Sequence, residues 1–394
     1  MVHIPLRRPR AALLHVLLLL LAGTLLTAAP AARAGIFDRD TTFGTNGLTA
    51  TPDAQGGRWK ALAVLPDGRI LAAGQTTGDR AAVARFMPGG QLDPTFAADA
   101  PVPGVAIVPG QAAGSVPTSL VVLGDGHILL GATTRIATTG NPSLLIARLT
   151  ADGHLDASFG TGGTYTDRFG GAGTLMGGIA AGPNGSVAVV GRAPGTVDFG
   201  VVLVLTAAGA PDDNYGTRGS TATSFGGAST GFDDVRVDSA GRITVAGGWY
   251  AGPLRQQVLV ARFTAAGLLD SGYGVSGTGY TVTNVSGPDP TITNAEGRRM
   301  DLAADGRVLV AASTKSTTGL ATHLVALARF TAGGALDTTF SPGSAPAGTR
   351  TQDISPSHVT DLTALHVRPS GDIVVAGATT VGATTQMGLA GYHA

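Results

Sequence analysis

Residues 147–160 read ARLTADGHLDASFG, and residues 327–340 read LARFTAGGALDTTF. Each segment has an Arg that is followed eight residues later by an Asp, and a Gly lies three residues before that Asp. A Phe lies three residues beyond the Asp. Gly supplies turn conformations with positive φ, and Asp accepts hydrogen bonds from nearby backbone amides. The pattern therefore indicates a strand that ends in a tight turn, and it occurs more than once in the chain.

The same pattern recurs from Asp40 to Asp337 at a mean spacing of about 59 residues, and a fixed period predicts a repeat architecture. The third copy keeps Asp212 but has Val204 in the position of the Arg. We interpret the repeated residues as turn-forming Asp that pair with an Arg on the preceding strand, because a functional site is normally unique. They are Asp40, Asp93, Asp156, Asp212, Asp270 and Asp337, with Arg85, Arg148, Arg262 and Arg329.

Each copy contains four strand signals. The first, such as residues 61–65, ends in a hairpin turn of the Asp-Gly type. The second is a continuous apolar run such as residues 70–73, which is typical of a strand buried on both faces. The third carries the Arg, and the fourth alternates Thr with other residues, as in 279–283. This order predicts an all-β fold, a six-bladed β-propeller of four-stranded blades.

The two ends of the sequence contribute to the same prediction. Residues 389–394 correspond to the third strand of the sixth copy, and residues 47–51 correspond to a fourth strand without a blade. We expect the N-terminal strand to complete the last blade and close the ring, which would hide both sheet edges. A linear solenoid is the alternative. The expected organisation is one domain over 35–394, with repeats at about 53–93, 94–156, 157–212, 213–270, 271–337 and 338–394, the last closed by 36–52.

The repeat resembles the bacterial delta-60 repeat family. The resemblance rests on the Asp-Gly hairpin, the Ala-Arg-aromatic strand and the Leu-Asp-x-x-Phe-Gly turn, and it extends over about residues 36–394. It is clearest in 147–160 and 327–340, and weakest at Val204 and Gly391, where the Arg is missing. The resemblance implies an exported or surface-associated bacterial protein with propeller-like repeats. It implies no catalytic residue.

The first 34 residues have the pattern of a secretory signal peptide. Three arginines (Arg7, Arg8 and Arg10) precede an apolar run over 11–26, and Ala32-Arg33-Ala34 supplies small residues at the cleavage positions. An uncleaved membrane anchor is the alternative. We therefore expect a periplasmic or extracellular protein that is not inserted in a membrane after cleavage. The chain has no Cys, which excludes disulfides and thiolate metal sites.

The composition argues against several classes of function. Without Arg7, Arg8, Arg10 and Arg33, 22 of the 26 basic residues remain against 26 acidic ones, so nothing suggests nucleic acid as a partner. The histidines show no metal-ligand spacing, and no phosphate-binding or calcium-binding loop is present. The sequence predicts no metal, no cofactor and no catalytic residue. We expect a monomer whose partner is an unknown protein or glycan.

Copies four and five differ from the others in charge. When the copies are aligned on the hairpin Gly, the first strands of these two carry charges of opposite sign at three matched levels. The residues are Asp233, Asp234 and Arg236 in one strand and Arg298, Arg299 and Asp301 in the other. Two interpretations stay open: a salt-bridge ladder between blades that fixes their register, or a polar wall of the central channel.

The long connections suggest where a ligand would bind. Loop lengths vary between the second and third strands and between blades, and in a propeller these two sets of loops emerge on one face. We call this the variable-loop face. Trp249, Tyr250 and Arg255 are expected there, with Asp233 and Arg298 beneath. The predicted function is a non-catalytic binding or cell-envelope interaction module. The alternative is a hydrolase or lyase at the channel mouth that uses Asp233, Asp301 or His366.

The signal-peptide interpretation predicts that cleavage leaves Gly35 as the first residue of the mature protein. Intact-mass spectrometry of the protein recovered from a bacterial host measures this directly. A mass that includes residues 1–34 would instead indicate a retained membrane anchor.

Overall fold

The fold was obtained as a computed structural model of the 394-residue chain. The residues described are 42–45, 49, 59–76, 78–109, 114–135, 140–168, 173–252, 256–285, 292–316, 325–344, 346–352, 359–368, 371–381 and 384–392. The chain divides into two compact units, residues 1–48 and 49–394. Of the first unit, residues 42–45 are described, and Thr42 and Phe43 form a turn there.

The second unit is all-β, and its described strands form antiparallel sheets in which strand order follows chain order. The first sheet contains β1 (Trp59–Val64), β2 (Ile70–Gln75), β3 (Ala81–Phe86) and β4 (Val105–Ile107), and the second contains β5 (Val116–Val122), β6 (Ile128–Arg135), β7 (Pro142–Leu149) and β8 (Thr164–Asp167). The third contains β9 (Leu175–Ala181), β10 (Val187–Ala193), β11 (Phe199–Leu205) and β12 (Ser220–Thr223).

The remaining strands follow the same plan. The fourth sheet contains β13 (Ser229–Val237), β14 (Ile243–Tyr250), β15 (Gln256–Phe263) and β16 (Tyr280–Thr283). The fifth contains β17 (Ile292–Leu302), β18 (Val308–Ser316), β19 (Val325–Phe330) and β20 (Thr349–Gln352). A single parallel bridge from Gln256 to Asn294 joins these two sheets. The sixth contains β21 (Val359–Val367), β22 (Ile373–Val381) and β23 (Thr384–Tyr392). Short 3₁₀ turns occur at Pro183–Gly185 and Val275–Gly277.

Each of the first five sheets takes its fourth strand from the segment after the repeat Asp. The strand Val105–Ile107, for example, follows Asp93 and pairs with β3. The structural unit is therefore displaced by one strand from the sequence repeat, whose expected limits are at the Asp residues. Of the expected closing segment 36–52, only residues 42–45 and 49 are described, and Asp40 lies outside the described residues. The sixth sheet has three described strands.

The turns between the first and second strands depend on glycine. In the first sheet, the N–H of Gly68 donates to the carbonyl of Leu65 at 2.9 Å, and Gly68 adopts a φ of +83°. That conformation is costly for residues with a Cβ, so Gly is the residue that this hairpin requires. We call the end of the sheets at which these turns lie the hairpin side. The turns between the third and fourth strands lie at the same end, because the first and third strands of each sheet run in the same direction.

Every sheet has a β-bulge at the same place in its first strand, eight residues before the hairpin Gly. The pairing registers shift there by one residue. The extra residue of a bulge bends the strand and re-aims the neighbouring side chains. The bulged residues are Lys60, Thr118, Gly177, Asp233, Arg298 and Thr363.

The hydrophobic core lies between successive sheets. One buried cluster, for example, contains Leu71 and Val83 of the first sheet with Ile128 and Leu130 of the second. Clusters of the same kind lie between each later pair of consecutive sheets, up to the fifth and sixth. The continuous apolar runs of the second and third strands are explained by this arrangement, because both of their faces are covered.

In the described part of the chain, no helix has the length and apolar character needed to span a bilayer.

Candidate functional site

The first repeat contains a buried contact between an arginine, a carboxylate and an aromatic ring. Arg85 Nε donates to Asp93 Oδ2 at 2.7 Å, and the Arg85 guanidinium carbon lies 4.7 Å from the centre of the Phe96 ring. Arg85 and Asp93 are both buried. The arginine thus makes a charge-assisted hydrogen bond and a cation–π contact at the same time.

Three other repeats contain the same contact, which we call the Arg–Asp–aromatic unit. The Nε to Oδ2 distance is 2.7 Å for Arg148 and Asp156, 2.7 Å for Arg262 and Asp270, and 2.8 Å for Arg329 and Asp337. The guanidinium carbons lie 4.7, 4.4 and 4.8 Å from the ring centres of Phe159, Tyr273 and Phe340, respectively. The unit is therefore nearly identical in geometry from copy to copy.

The unit also joins one sheet to the next. Nη1 of Arg85 donates at 2.6 Å to the carbonyl of Ala151, which lies in a turn of the second sheet. Arg148 donates in the same way to Ala207 in the third sheet, and Arg262 to Ala332 in the fifth sheet at 3.0 Å. The sequence predicted only the local pairing of Arg with Asp. The link to the following sheet could not be predicted, because it depends on how two repeats pack.

The carboxyl groups of these units are held in the ionised form. Burial disfavours the charge of Asp93, but the hydroxyl and N–H of Thr95 and the charge of Arg85 outweigh it and lower the Asp93 pKa to about 2. The pKa is also lowered for the other three paired carboxyls, Asp156, Asp270 and Asp337. Each unit therefore contributes an ion pair at neutral pH.

The third repeat keeps the carboxylate and the ring but lacks the arginine. Val204 occupies the arginine position, while Tyr215 is fully buried in the aromatic position. Asp212 Oδ1 accepts hydrogen bonds from the N–H and the side-chain amide of Asn214, at 3.0 and 2.9 Å. Within the described residues, no hydrogen bond or ion pair involves Asp212 Oδ2, the oxygen that binds the arginine in the other four units.

A cavity of about 510 Å³ lies where that arginine is missing, on the hairpin side between the third and fourth sheets. We call it the third-repeat cavity. Its lining includes Val204, Asp212, Tyr215, Ser186 and Ala265. Its volume falls within the range typical of ligand pockets, about 300–1,000 Å³.

The fifth repeat provides a matched comparison. At the equivalent position between the fifth and sixth sheets, Arg307 and Arg329 line a cavity of only about 80 Å³. The counterparts of these two arginines in the third repeat are Ser186 and Val204. The third-repeat cavity is therefore larger because two long cationic side chains are replaced by short neutral ones. The sequence shows Val204 in the position of the arginine. The cavity itself could not be predicted from it, because the cavity depends also on Ser186 and on the adjoining sheet.

The charged residues of the fourth and fifth sheets form a different arrangement from the predicted ladder. Arg298 Nη1 lies 3.7 Å from Asp233 Oδ1, so the first expected pair is present. Asp234, however, accepts from Arg236 Nη1 at 2.7 Å and from the N–H of Met300 at 2.9 Å. The expected pairing of Asp234 with Arg299 is therefore wrong.

The pairing of Arg236 with Asp301 is wrong as well. Arg236 Nη2 donates to the carbonyl of Met300 at 2.6 Å, and Asp301 Oδ2 accepts from the N–H of Val367 at 2.8 Å. Arg299 donates to the carbonyl of Arg298. The reason is that both carboxylates hydrogen-bond to backbone N–H groups of the next first strand, a contact that an alignment of side chains does not anticipate. Asp234 and Asp301 instead join each first strand to the backbone of the next sheet. His366 Nδ1 lies 3.6 Å from Asp301 Oδ2, and its side chain is exposed.

The aromatic pair predicted for the variable-loop face lies at the end of β14. Trp249 is half-buried against the core of the third and fourth sheets, and its Nε1–H donates to the carbonyl of Phe225 at 2.8 Å. Tyr250 is also half-buried. Trp249 therefore packs on the blade instead of projecting freely from it. Arg255 lies outside the described residues.

In the ranges that the structure describes, no three His, Asp or Glu side chains are grouped so that they could hold a metal ion.

Three segments of the chain, residues 65–96, 123–159 and 303–340, match a family described as a domain of unknown function (DUF5122) beta-propeller. Each segment contains one complete Arg–Asp–aromatic unit. The match supports a propeller-repeat family for this chain. A search of curated proteins found no match.

Among solved structures, the chain is similar to a protein of unknown function from Dyadobacter fermentans, with 14% identity and a TM-score of 0.47 over 85% of this chain and 93% of that one. It is also similar to an ulvan lyase, at 9% identity and a TM-score of 0.47, over 88% and 81% of the two chains. An α-L-arabinofuranosidase from Fusarium graminearum gives 11% identity and a TM-score of 0.45, over 88% and 94%. These likenesses are too distant to indicate an activity.

The lowered pKa of Asp93 predicts how stability depends on pH. Because ionised Asp93 stabilises the fold, its contribution is fully present above pH 4 and is lost as the pH falls toward 2. At pH 6 we expect Asp93→Asn to lower the free energy of unfolding by about 2 kcal/mol. Urea denaturation between pH 2 and 6 should show this deficit shrink at low pH, and the exposed Asp213→Asn should show none. A deficit that is constant with pH would contradict the assignment.

Proposed function

We propose that the chain is an exported, non-catalytic binding module built on a closed, six-bladed β-propeller of the delta-60 type. Ring closure is supported by the first sheet, in which Leu62 and Val64 are 64% and 72% exposed. Their counterparts in the later sheets pack against the preceding sheet, as Val235 and Met300 do. In a closed ring, the sixth sheet and the strand within 36–52 would supply the missing neighbour.

The observation that carries the binding role is the third-repeat cavity. It combines a carboxylate oxygen without a partner among the described residues, a buried aromatic ring and about 510 Å³ of open space. Cavities of this size, in which apolar walls are combined with convergent polar groups, are typical ligand sites. The proposed site lies on the hairpin side, at the opposite end of the sheets from the variable-loop face that the sequence favoured.

The inner charges support binding rather than catalysis. Asp234 and Asp301 each accept the N–H of a residue in the next sheet, and a carboxylate used in this way is bound in the structure and poorly placed to move a proton. Removing such a carboxylate would leave a buried N–H without its acceptor. These residues therefore act as fixed links between sheets in the proposed module.

A hydrolase or lyase is the second candidate, and one contact favours it. Asp301 Oδ2 lies 3.6 Å from Nδ1 of the exposed His366, which is within ion-pair range but longer than a hydrogen bond, and a carboxylate beside a histidine is the pair from which a general base is built. If the protein is an enzyme of this kind, turnover of esters, lactones or glycosides would be abolished by His366→Ala. The same substitution should not affect binding in the third-repeat cavity.

A binding screen of the mature protein separates these functions. Glycans and peptides of cell-envelope proteins would be tested by surface plasmon resonance against wild type, Val204→Arg and Tyr250→Ala. Filling the third-repeat cavity with Val204→Arg should weaken binding at least tenfold, whereas Tyr250→Ala on the variable-loop face should bind like wild type. Loss of binding only in Tyr250→Ala would move the site to the variable-loop face, and would contradict the proposal.

A further inference from the structure

We infer that the third-repeat cavity binds a guanidinium group, the terminal group of an arginine side chain. The inference rests on the proposed function, since it names the ligand of the same cavity. It follows from a comparison within one molecule, because four other repeats hold a guanidinium group between residues of the same kinds in the same positions.

The four Arg–Asp–aromatic units define the contacts that a guanidinium group makes here. It donates to Oδ2 of the Asp at 2.7–2.8 Å and lies 4.4–4.8 Å from the centre of the aromatic ring. In three of the units it also donates to the carbonyl of an Ala in the next sheet. The guanidinium group is thus surrounded by a charged acceptor (the Asp carboxylate), the face of an aromatic ring and a neutral acceptor (the Ala carbonyl).

All three groups are retained in the third repeat. Asp212 keeps its Oδ1 fixed by Asn214, as the other carboxylates are fixed by the residue two positions later. Tyr215 supplies the ring, as Tyr273 does in the unit with the shortest guanidinium-to-ring distance. Ala265, the counterpart of Ala151 and Ala332, lies in the cavity wall. Among the residues that the structure describes, the arginine is the member of the unit that the third repeat lacks.

The charge around Asp212 also differs from that in the other repeats. A second basic residue follows the hairpin Gly in the four repeats that have the arginine. Arg69, His127 and Arg307 lie 3.3, 3.4 and 3.9 Å from the Asp carboxylate in repeats one, two and five, whereas Arg242 of repeat four pairs with Asp238. Ser186 occupies this position in the third repeat. Among the described residues, no cationic side chain forms an ion pair with Asp212, so an external cation would meet an uncompensated carboxylate.

The interface around the cavity is otherwise intact. The N–H of Gly216 donates to the carbonyl of Ala266 at 3.0 Å, and equivalent backbone bonds join the other sheets, as from Gly160 to Ala208 at 2.8 Å. Loss of the arginine has therefore opened a cavity without separating the sheets. A preformed site costs little reorganisation when a ligand enters, which favours binding.

The geometry selects guanidinium over ammonium. A guanidinium group is planar, donates from several N–H groups in a fixed fork and stacks on aromatic faces, whereas an ammonium group is a compact and strongly hydrated charge. The cavity requires both a stacked plane and donors toward two separate acceptors, Asp212 and Ala265. A lysine side chain could satisfy the charge but not the stacking.

The test uses the mature protein and Nα-acetyl-L-arginine methylamide as the probe, followed by NMR chemical-shift perturbation. We expect a dissociation constant on the order of 1 mM, as is reasonable for one group held by a few contacts. The citrulline analogue has nearly the same shape but no charge, and should bind at least tenfold more weakly, as should the lysine analogue.

Two variants and one control locate the site. Val204→Arg supplies the missing arginine from within, and Asp212→Asn removes the charge while keeping the shape, so each should weaken probe binding at least tenfold. Asp213→Asn makes the same charge change at the adjacent, exposed position outside the cavity, and should bind like wild type. Equal binding by all four proteins, or binding of the citrulline analogue as tight as that of the probe, would overturn the inference.

A second comparison identifies the source of the group. Agmatine represents a small guanidino compound, and the tripeptide Gly-Arg-Gly represents an arginine in a protein partner. Tighter binding of the tripeptide would indicate a protein partner, and tighter binding of agmatine a small-molecule ligand; both support the inference. If neither binds, but another ligand binds in a manner sensitive to Val204→Arg, the proposed function stands and the guanidinium assignment fails.

Discussion

The structure depends on one repeated interaction, the arginine that is bound by a carboxylate, stacked on a ring and bonded to the next sheet. Burial alone would make such a charge costly, and the cost is offset only when its acceptors are in place. Because the acceptors come from two consecutive sheets, the arginine stabilises the interface as well as the turn. The surrounding core consists mostly of aliphatic side chains packed between sheets, and apolar packing of this kind has little directional preference of its own.

The third repeat shows what happens when this interaction is incomplete. The backbone bond between its turn and the fourth sheet is kept, and the apolar cluster between these sheets is continuous. Only the guanidinium position is open, and Asp212 with Tyr215 borders it. A site of this kind uses contacts that the chain otherwise makes with itself, so its ligand preference can be derived from the four filled copies. The absence of the arginine from the third repeat therefore leads to the inference that a guanidinium group binds there.

Much of the fold could be predicted from local signals. The Gly of each hairpin, the apolar runs of the second strands and the spacing of the Asp residues all reflect short-range requirements of turns and strands. The pairing of charges between sheets could not be predicted, because Asp234 and Asp301 bond backbone N–H groups of the next sheet, which a comparison of side chains does not reveal. The third-repeat cavity was visible in the sequence only as Val204 in an arginine position. Its meaning required the neighbouring Ser186 and Ala265, which become adjacent to it only in the folded sheets.

The central claim is that the arginine both fills the site and is replaceable by a ligand, and the fourth repeat offers the most direct measurement of it. The double substitution Arg262→Val and Arg242→Ser would give the fourth repeat the residues of the third, with Asp270 and Tyr273 left in place. The free energy of unfolding should fall by more than about 2 kcal/mol. Nα-acetyl-L-arginine methylamide should restore part of that loss, while the citrulline analogue should not. An unchanged stability, or a loss that neither compound reverses, would contradict the account.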